Sequence, residues 1–270
     1  MNAERPPVAL TVAGSDSSGG AGIQADLKTF HALGVYGTSA VTALTAQSTR
    51  GVDGVFPVDP DFVARQIDTT VADIPPDAVK TGMLADARIV EAVADAADRH
   101  AFPAFVVDPV MVATTGAMLL EEGAVETVRE LLVPRATLLT PNGPEVAALL
   151  GREVETPDDQ EAAARAIVEE MGAGAALVKG GDLPGERLVD VYFDGTEWAR
   201  FVDTRIETTS THGSGCALAS AIAAFVARGE PLGEAVRRAR AWVRVGIENA
   251  PPLGSGRGPL DLFPRQDAVR

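Results

Sequence analysis

The sequence contains one cysteine, Cys216, in 270 residues. That excludes an intrachain disulfide and a cysteine-built metal site, and it is compatible with a reducing cytosol. Histidine is also sparse: His31, His100 and His212 are scattered without metal-ligand spacing. Aromatic residues make up 5% of the chain against 46% hydrophobic residues overall, so the core is expected to be built from Ala, Val, Leu and Ile rather than from rings. No apolar run approaches the roughly 18 residues of a membrane span. Met1–Pro7, which carries Glu4 and Arg5, lacks the apolar stretch of a signal peptide. A cytoplasmic protein is expected.

Positive charge is the other deficit. Lys and Arg number 23 against 38 Asp and Glu, a net charge of −15, which argues against nucleic acid and against anionic membranes as partners. Lysine occurs only at positions 28, 80 and 179. No Gly-Lys dipeptide occurs, and no G-x-G-x-x-G follows a strand, so the P-loop and dinucleotide-binding signatures are both missing.

What is present reads as one α/β domain over residues 1–270. Val8–Gly14 has the character of a short buried strand, Ser15–Ala21 of a Gly/Ser loop, and Gly22–Leu33 has helical spacing with Ile23, Leu27 and Phe30 on one face. The alternation continues through an apolar stretch at Ser39–Ala46, a helix near Asp61–Val71, a strand at Ala78–Thr81, a helix near Ala87–Arg99 and a strand at Ala104–Asp108. Helix-then-strand pairs follow at Ala124–Leu132 with Thr137–Leu139, and at Asp159–Met171 with Ala175–Val178. Such repeats predict a mostly parallel central sheet flanked by helices on both faces. Val189–Phe193 and Trp198–Val202, around Asp194-Gly195, predict a small antiparallel hairpin. Two helices, near Ser214–Ala227 and Leu232–Val245, come last.

In open α/β sheets ligands bind beyond the carboxyl ends of the strands, and the polar motifs cluster there. Thr211-His212-Gly213-Ser214-Gly215-Cys216 precedes an apolar helix; its glycines suit either a phosphate cradle at a helix N-terminus or a glycine-rich cap. Cys216, in the first helical turn, reads either as a thiol of lowered pKa or as an inert core cysteine. Asp108 and Glu145 each follow a strand and are candidate Mg²⁺ ligands, with capping or solvated carboxylates as the alternative. Lys179, before Gly180-Gly181, is placed either to meet a nucleotide phosphate or to face solvent. Gly14 through Gly22 is glycine-dense enough to approach a ligand, or to be a flexible loop.

Together the stretches AGSDSSGGAGIQADLKTF, TALTAQSTRGV, KTGML, VDPVM, LTPNGPE, LVKGGD, THGSGC and GSGRGP resemble the hydroxymethylpyrimidine/phosphomethylpyrimidine kinase family, in family order from about Val8 to Pro259. The resemblance implies a ribokinase-like fold, ATP with Mg²⁺, and two successive phosphorylations in thiamine biosynthesis: of a hydroxymethyl aminopyrimidine and then of its monophosphate. It further implies that Gln47 grips the pyrimidine, with Gly14, Asp26, Thr45, Met83 and Val110 around it. Asp108 and Glu145 match the metal-side acids. Lys179, Thr211, Gly254 and Gly256 fall on the nucleotide side. Gly213 to Cys216, including Ser214 and Gly215, match its anion hole, and Cys216 stands where the family has its proposed base. A homodimer is implied as well. Departures are small: Asp182 stands where histidine is common, Ser214 where threonine is common, and Thr45 where an apolar residue is common. The alternatives are a pyridoxal/pyridoxine kinase and a non-catalytic pyrimidine-binding regulator.

Overall fold

A computed structural model of the protein describes residues 5–112, 119–121 and 123–263. In chain order the elements are β1 (Val8–Asp16), α1 (Gly22–Ala32), β2 (Tyr36–Ser48), β3 (Gly51–Pro57), α2 (Pro60–Asp73), β4 (Ala78–Thr81), α3 (Ala87–His100) and β5 (Phe105–Val107). They continue with α4 (Ala124–Thr127), β6 (Leu138–Leu139), α5 (Gly143–Leu150), α6 (Pro157–Glu169) and β7 (Ala176–Val178), and end with β8 (Arg187–Phe193), β9 (Trp198–Thr204), α7 (Ser214–Ala227) and α8 (Leu232–Glu248). Helix α4 runs on without a break through a π-helical turn at Val128–Leu132 and a 3₁₀ turn at Val133–Arg135, where Pro134 ends it.

The nine strands form one sheet in the order β3-β2-β1-β4-β5-β6-β7-β8-β9. The neighbours from β2 through to β7 run parallel; β3 and the β8–β9 hairpin extend the two edges antiparallel. Both faces of the central strands are buried, and successive residues alternate between two cores. Leu10, Val12, Val79, Phe105, Val107, Leu139 and Val178 pack under α2, α3, α5 and α6. Ala9, Ala78, Val106, Leu138 and Leu177 pack under α1, α7 and α8. The result is the three-layer α/β architecture predicted from the alternation.

The helix starts are chemically specified. Asp59 accepts the N–H groups of Asp61 and Phe62 ahead of Pro60, and Asp86 accepts that of Ile89. Asn142 with Glu145, and Thr156 with Asp159, form reciprocal capping boxes at α5 and α6. The predicted hairpin is present with a four-residue turn, Phe193 pairing with Trp198; Gly195 takes a φ of +88°, and the Asp194 carboxylate accepts the N–H groups of Thr196 and Glu197.

Two elements were not predicted. Strand β3 carries Gly51, Asp53, Gly54 and Pro57, all poor strand formers, and only its pairing with β2 makes it a strand. Helix α5 has just eight residues, too few for a periodic pattern to stand out.

Candidate active site

A cleft of about 870 Å³ opens above the carboxyl ends of β1, β4, β5, β6 and β7. Its charged end is assembled from four elements. Asp108, just after β5, accepts a hydrogen bond from Lys179 Nζ at 3.0 Å and one from Thr140 Oγ1 at 3.1 Å, both on Oδ1. Lys179, just after β7, also lies 3.6 Å from Glu145 Oε2. Glu145 is held in the first turn of α5, where the same oxygen accepts the Asn142 N–H at 2.7 Å.

The electrostatics of this trio are set by burial. For Glu145, burial and the nearby Asp108 charge outweigh Lys179 and push the carboxyl up to about 7. For Lys179, burial works against the charge, but Asp108 and Glu145 more than compensate and the ammonium is held well above its ordinary range. A carboxylate raised in this way calls for more positive charge than Lys179 supplies. The two acids therefore fit a hard cation such as Mg²⁺, which uses one or two carboxylates together with substrate phosphates rather than a full protein cage. No cluster of three or more His, Cys, Asp or Glu that could hold a metal ion by itself occurs among the described residues.

Opposite this trio stands the first turn of α7. Gly213 caps it with φ +80°, and a Cβ there would lie 1.9 Å from Gly20 O, so only glycine fits. A Cβ on Gly215 would lie 3.5 Å from Lys179 Nζ and 3.8 Å from Asp108 Oδ2. The N-terminus of an apolar 14-residue helix thus faces the same space as the ion cluster; of its first amides, that of Ser214 donates to Thr211 O at 3.2 Å.

The other end of the cleft is lined by Gly14, Thr45, Gln47, Met83 and Val110. Gly14 donates its N–H to Met83 O at 3.1 Å, and Thr42 Oγ1 donates to the same carbonyl at 2.6 Å, which fixes the loop after β4 across the end of β1. Thr45 Oγ1 lies 2.9 Å from Ser15 O and 3.2 Å from Gln47 Oε1.

Sequence reasoning missed two residues here. Asp16 ends β1 and is nearly inaccessible; it accepts the N–H groups of Ser18, Gly20 and Ala21 at 2.8, 3.1 and 2.8 Å, and lies 2.9 Å from His212 Nε2. Burial alone would raise this carboxyl, yet His212, Ser18 and Ala21 hold it at about 2. The usable signal was its position as an acid at the end of a strand, which also singled out Asp108. His212 lay inside a motif read for its glycines.

Two expectations are corrected, for Asp26 and for Gly254 with Gly256, and of the two readings of Cys216 the structure favours one. Cys216 sits in the first turn of α7, but its thiol pKa is not lowered. Burial dominates over the Lys80 charge, and Asp26 and Asp108 add to it, so the thiol is pushed up to about 11. Asp26 does not line the pocket: it is fully buried beneath it, with Oδ2 accepting Thr11 Oγ1 at 2.6 Å, Oδ1 accepting Ser220 Oγ at 2.6 Å, and both oxygens 2.9 Å from Lys80 Nζ. Gly254 and Gly256 do not reach the cleft wall; they pack on Thr49 at the β2–β3 turn, and Arg257 of the same loop lines the cleft instead. The remaining predicted residues, Thr211, Gly213, Ser214, Gly215, Lys179, Asp108 and Glu145, all line the one cleft.

A mixed sheet of this order, with a helix N-terminus facing a lysine and two acids across a cleft at the strand ends, is the arrangement of a ribokinase-like small-molecule kinase. The sequence profile of phosphomethylpyrimidine kinase matches residues 16–261. The hydroxymethylpyrimidine/phosphomethylpyrimidine kinase of Bacillus subtilis is 46% identical over 256 residues, covering 94% of each chain. The thiamine biosynthesis bifunctional protein ThiED of Geobacter sulfurreducens is 49% identical over 97% of this chain, which spans 53% of that longer protein. Among solved structures, the ADP complex of Bacillus subtilis pyridoxal kinase superposes with a TM-score of 0.88 at 38% identity, covering 95% of this chain and 97% of that one. The chain belongs to the phosphomethylpyrimidine kinase family, and it is a phosphotransferase. No helix among the described residues is long and apolar enough to cross a membrane.

Proposed function

We propose that the cleft transfers the terminal phosphoryl group of ATP to the hydroxymethyl oxygen of an aminopyrimidine, and then phosphorylates the resulting monophosphate to the diphosphate, as a step of thiamine biosynthesis. The observation that carries this is the approach of Gly215 to both Lys179 and Asp108, because it sets helix-terminus amides and a cation around one volume next to the Gln47 pocket. Phosphoryl transfer proceeds through a loose transition state and needs positioning and charge neutralisation more than a strong base.

In this reading Gly213–Cys216 hold the transferring oxygens with backbone N–H groups, and Lys179 neutralises charge on the nucleotide side, beside Thr211. Asp108 and Glu145 would hold Mg²⁺, which when bound supplies further neutralisation of the phosphate oxygens. The hydroxymethyl oxygen forms its bond to phosphorus as the bond to the ADP oxygen breaks, and the hydroxyl proton passes late to an oxygen of the transferred phosphoryl group. A thiol pushed up to about 11 already carries its own proton, so Cys216 orients the hydroxymethyl group rather than removing its proton. Gln47, with Gly14, Thr45, Met83 and Val110, binds the ring; a carboxamide both donates and accepts, as an aminopyrimidine edge requires.

The chain acts as one kinase domain in the cytoplasm. It pairs as a homodimer, supported by the exposed Leu44, Val55, Phe56 and Phe62 around the β2–β3 edge. Pyridoxal is the second candidate substrate, favoured by the solved pyridoxal kinase at TM-score 0.88. A coupled assay with hydroxymethylpyrimidine, its monophosphate and pyridoxal, each with ATP and Mg²⁺, separates the two. Turnover of both pyrimidines is expected. Efficient turnover of pyridoxal alone would reverse the assignment, and ligand binding without any ADP formation would make the protein a pyrimidine-binding regulator.

A further inference from the structure

The ring of His212 is fixed from several directions. Its backbone N–H donates to Gly258 O at 3.1 Å, and its Cδ2 lies 2.6 Å from where a Cβ on Gly20 would stand. Nε2 lies 2.9 Å from Asp16 Oδ2, while Nδ1 is buried without a hydrogen-bond partner. Asp16 is an ionised carboxylate at neutral pH and can only accept, so the ring proton belongs on Nε2. A proton on Nδ1 would be a buried unpaired donor, and it would aim the Nε2 lone pair at a carboxylate oxygen.

Gln47 must accommodate this. One end of its carboxamide stands 3.4 Å from His212 Nε2 and the other 3.2 Å from Thr45 Oγ1. With the nitrogen toward His212, two donors would meet at that contact. The Thr45 end gives the same answer independently. A hydroxyl has one hydrogen, and Thr45 Oγ1 lies 2.9 Å from Ser15 O, an acceptor only, so toward Gln47 the threonine must accept. Both conflicts vanish if the carboxamide is turned about, which moves no heavy atom appreciably because its two ends are nearly isosteric.

We propose that Asp16 and His212 are positioning residues that fix the Gln47 carboxamide with its oxygen toward His212 and its nitrogen toward Thr45, and so dictate the order of donor and acceptor that a substrate ring must present. This deepens the functional reading above and rests on it for the identity of the ring. One lone pair of Oε1 and one hydrogen of Nε2 remain for the ligand. A ring nitrogen beside an exocyclic amine is complementary to that pair, in one orientation only.

The first test is nitrogen NMR of the full chain labelled with ¹⁵N-histidine. Only three histidines are present, and a His212→Asn sample identifies the relevant signals. The expected pattern is a protonated Nε2 and a bare Nδ1; a bare Nε2 overturns the proposal. The second test is Asp16→Ala, which removes the acceptor that keeps the ring proton on Nε2 and so releases the Gln47 carboxamide from its fixed orientation; Asn is unsuitable, because Oδ2 also accepts the Gly20 and Ala21 N–H groups and an amide oxygen would stay at that position. KM for the aminopyrimidine is expected to rise about tenfold or more, the scale of one mismatched buried hydrogen bond, with kcat changed less than about threefold. An unchanged KM in a folded variant overturns the proposal. If Asp16→Ala does not fold, the wild-type tautomer still decides. Failure of the wild type to phosphorylate any aminopyrimidine would sink the functional reading alone, because the tautomer is measured without substrate.

Discussion

Lys179 and Asp108, 71 positions apart in the chain, meet as a 3.0 Å ion pair at the ends of two strands that are not sheet neighbours. β6 lies between their strands, and the Thr140 hydroxyl that follows it bonds to the same Asp108 oxygen. The pair is therefore built across three consecutive strand ends, where a rigid parallel sheet holds both partners without a long loop on either side.

Replacing Lys179 with Ala removes the one lysine that faces the two acids. Turnover is expected to fall by about 10²–10³, the usual effect of deleting one preorganised electrostatic contact. Steady-state kinetics with saturating ATP check this; a loss confined to KM for the pyrimidine would place Lys179 outside the phosphoryl-transfer end.

Glu145 gives the site a pH signature. Its folded-state pKa of about 7 lies above its ordinary 4.5, so between those values the folded protein binds more protons than the unfolded chain does, and this group's contribution to stability falls as pH rises through that window. Thermal melts of the ligand-free protein from pH 5 to pH 8 should show that component, and Glu145→Gln should remove it. With Mg²⁺ on Glu145 as proposed, protons and the cation would compete for the same carboxylate, so the gain in Tm on adding Mg²⁺ should be larger at pH 8 than at pH 6 in the wild type and nearly pH-independent in the variant.

Cys216→Ala is expected to lower turnover strongly through loss of substrate orientation. With the thiol pushed up to about 11, alkylation by iodoacetamide should be slow at pH 7.5 and accelerate toward pH 10. Fast labelling at pH 7.5 would restore a thiolate, and with it a base, to the mechanism.

Gly213→Ala tests the cradle itself. The substitution meets both a φ of +80° and a 1.9 Å collision with Gly20 O, so a loss of at least about 2 kcal/mol in stability is expected. Denaturant unfolding measures it, and near-wild-type stability would show that the loop can relax.

Asp26→Ala should act chiefly through stability, with a smaller effect on the Cys216 thiol, whose pKa the Asp26 charge helps to raise. Lys80 would be left buried without its counter-ion, at a cost of about 3–5 kcal/mol. A variant that stays folded yet loses pyrimidine affinity selectively would return Asp26 to the pocket wall.

Much of this protein could be read from the chain. Alternating apolar strands and capped helices specify the three-layer sheet because both signals are local: residues two or four apart decide which face is buried, and Asn142 or Thr156 caps only its own helix. The residues of the charged end were legible for a related reason, since each follows a strand and strand ends converge in this architecture. Tertiary structure decided the rest. The charge state of Cys216 depends on burial, and the choice between pocket wall and core for Asp26 depends on Lys80 and Ser220, residues far from it in sequence. The pairing of Asp16 with His212 spans 196 positions, and no local pattern encodes a hydrogen bond between two ends of a chain. Desolvation and long-range pairing are properties of packed volume, which sequence spacing does not measure.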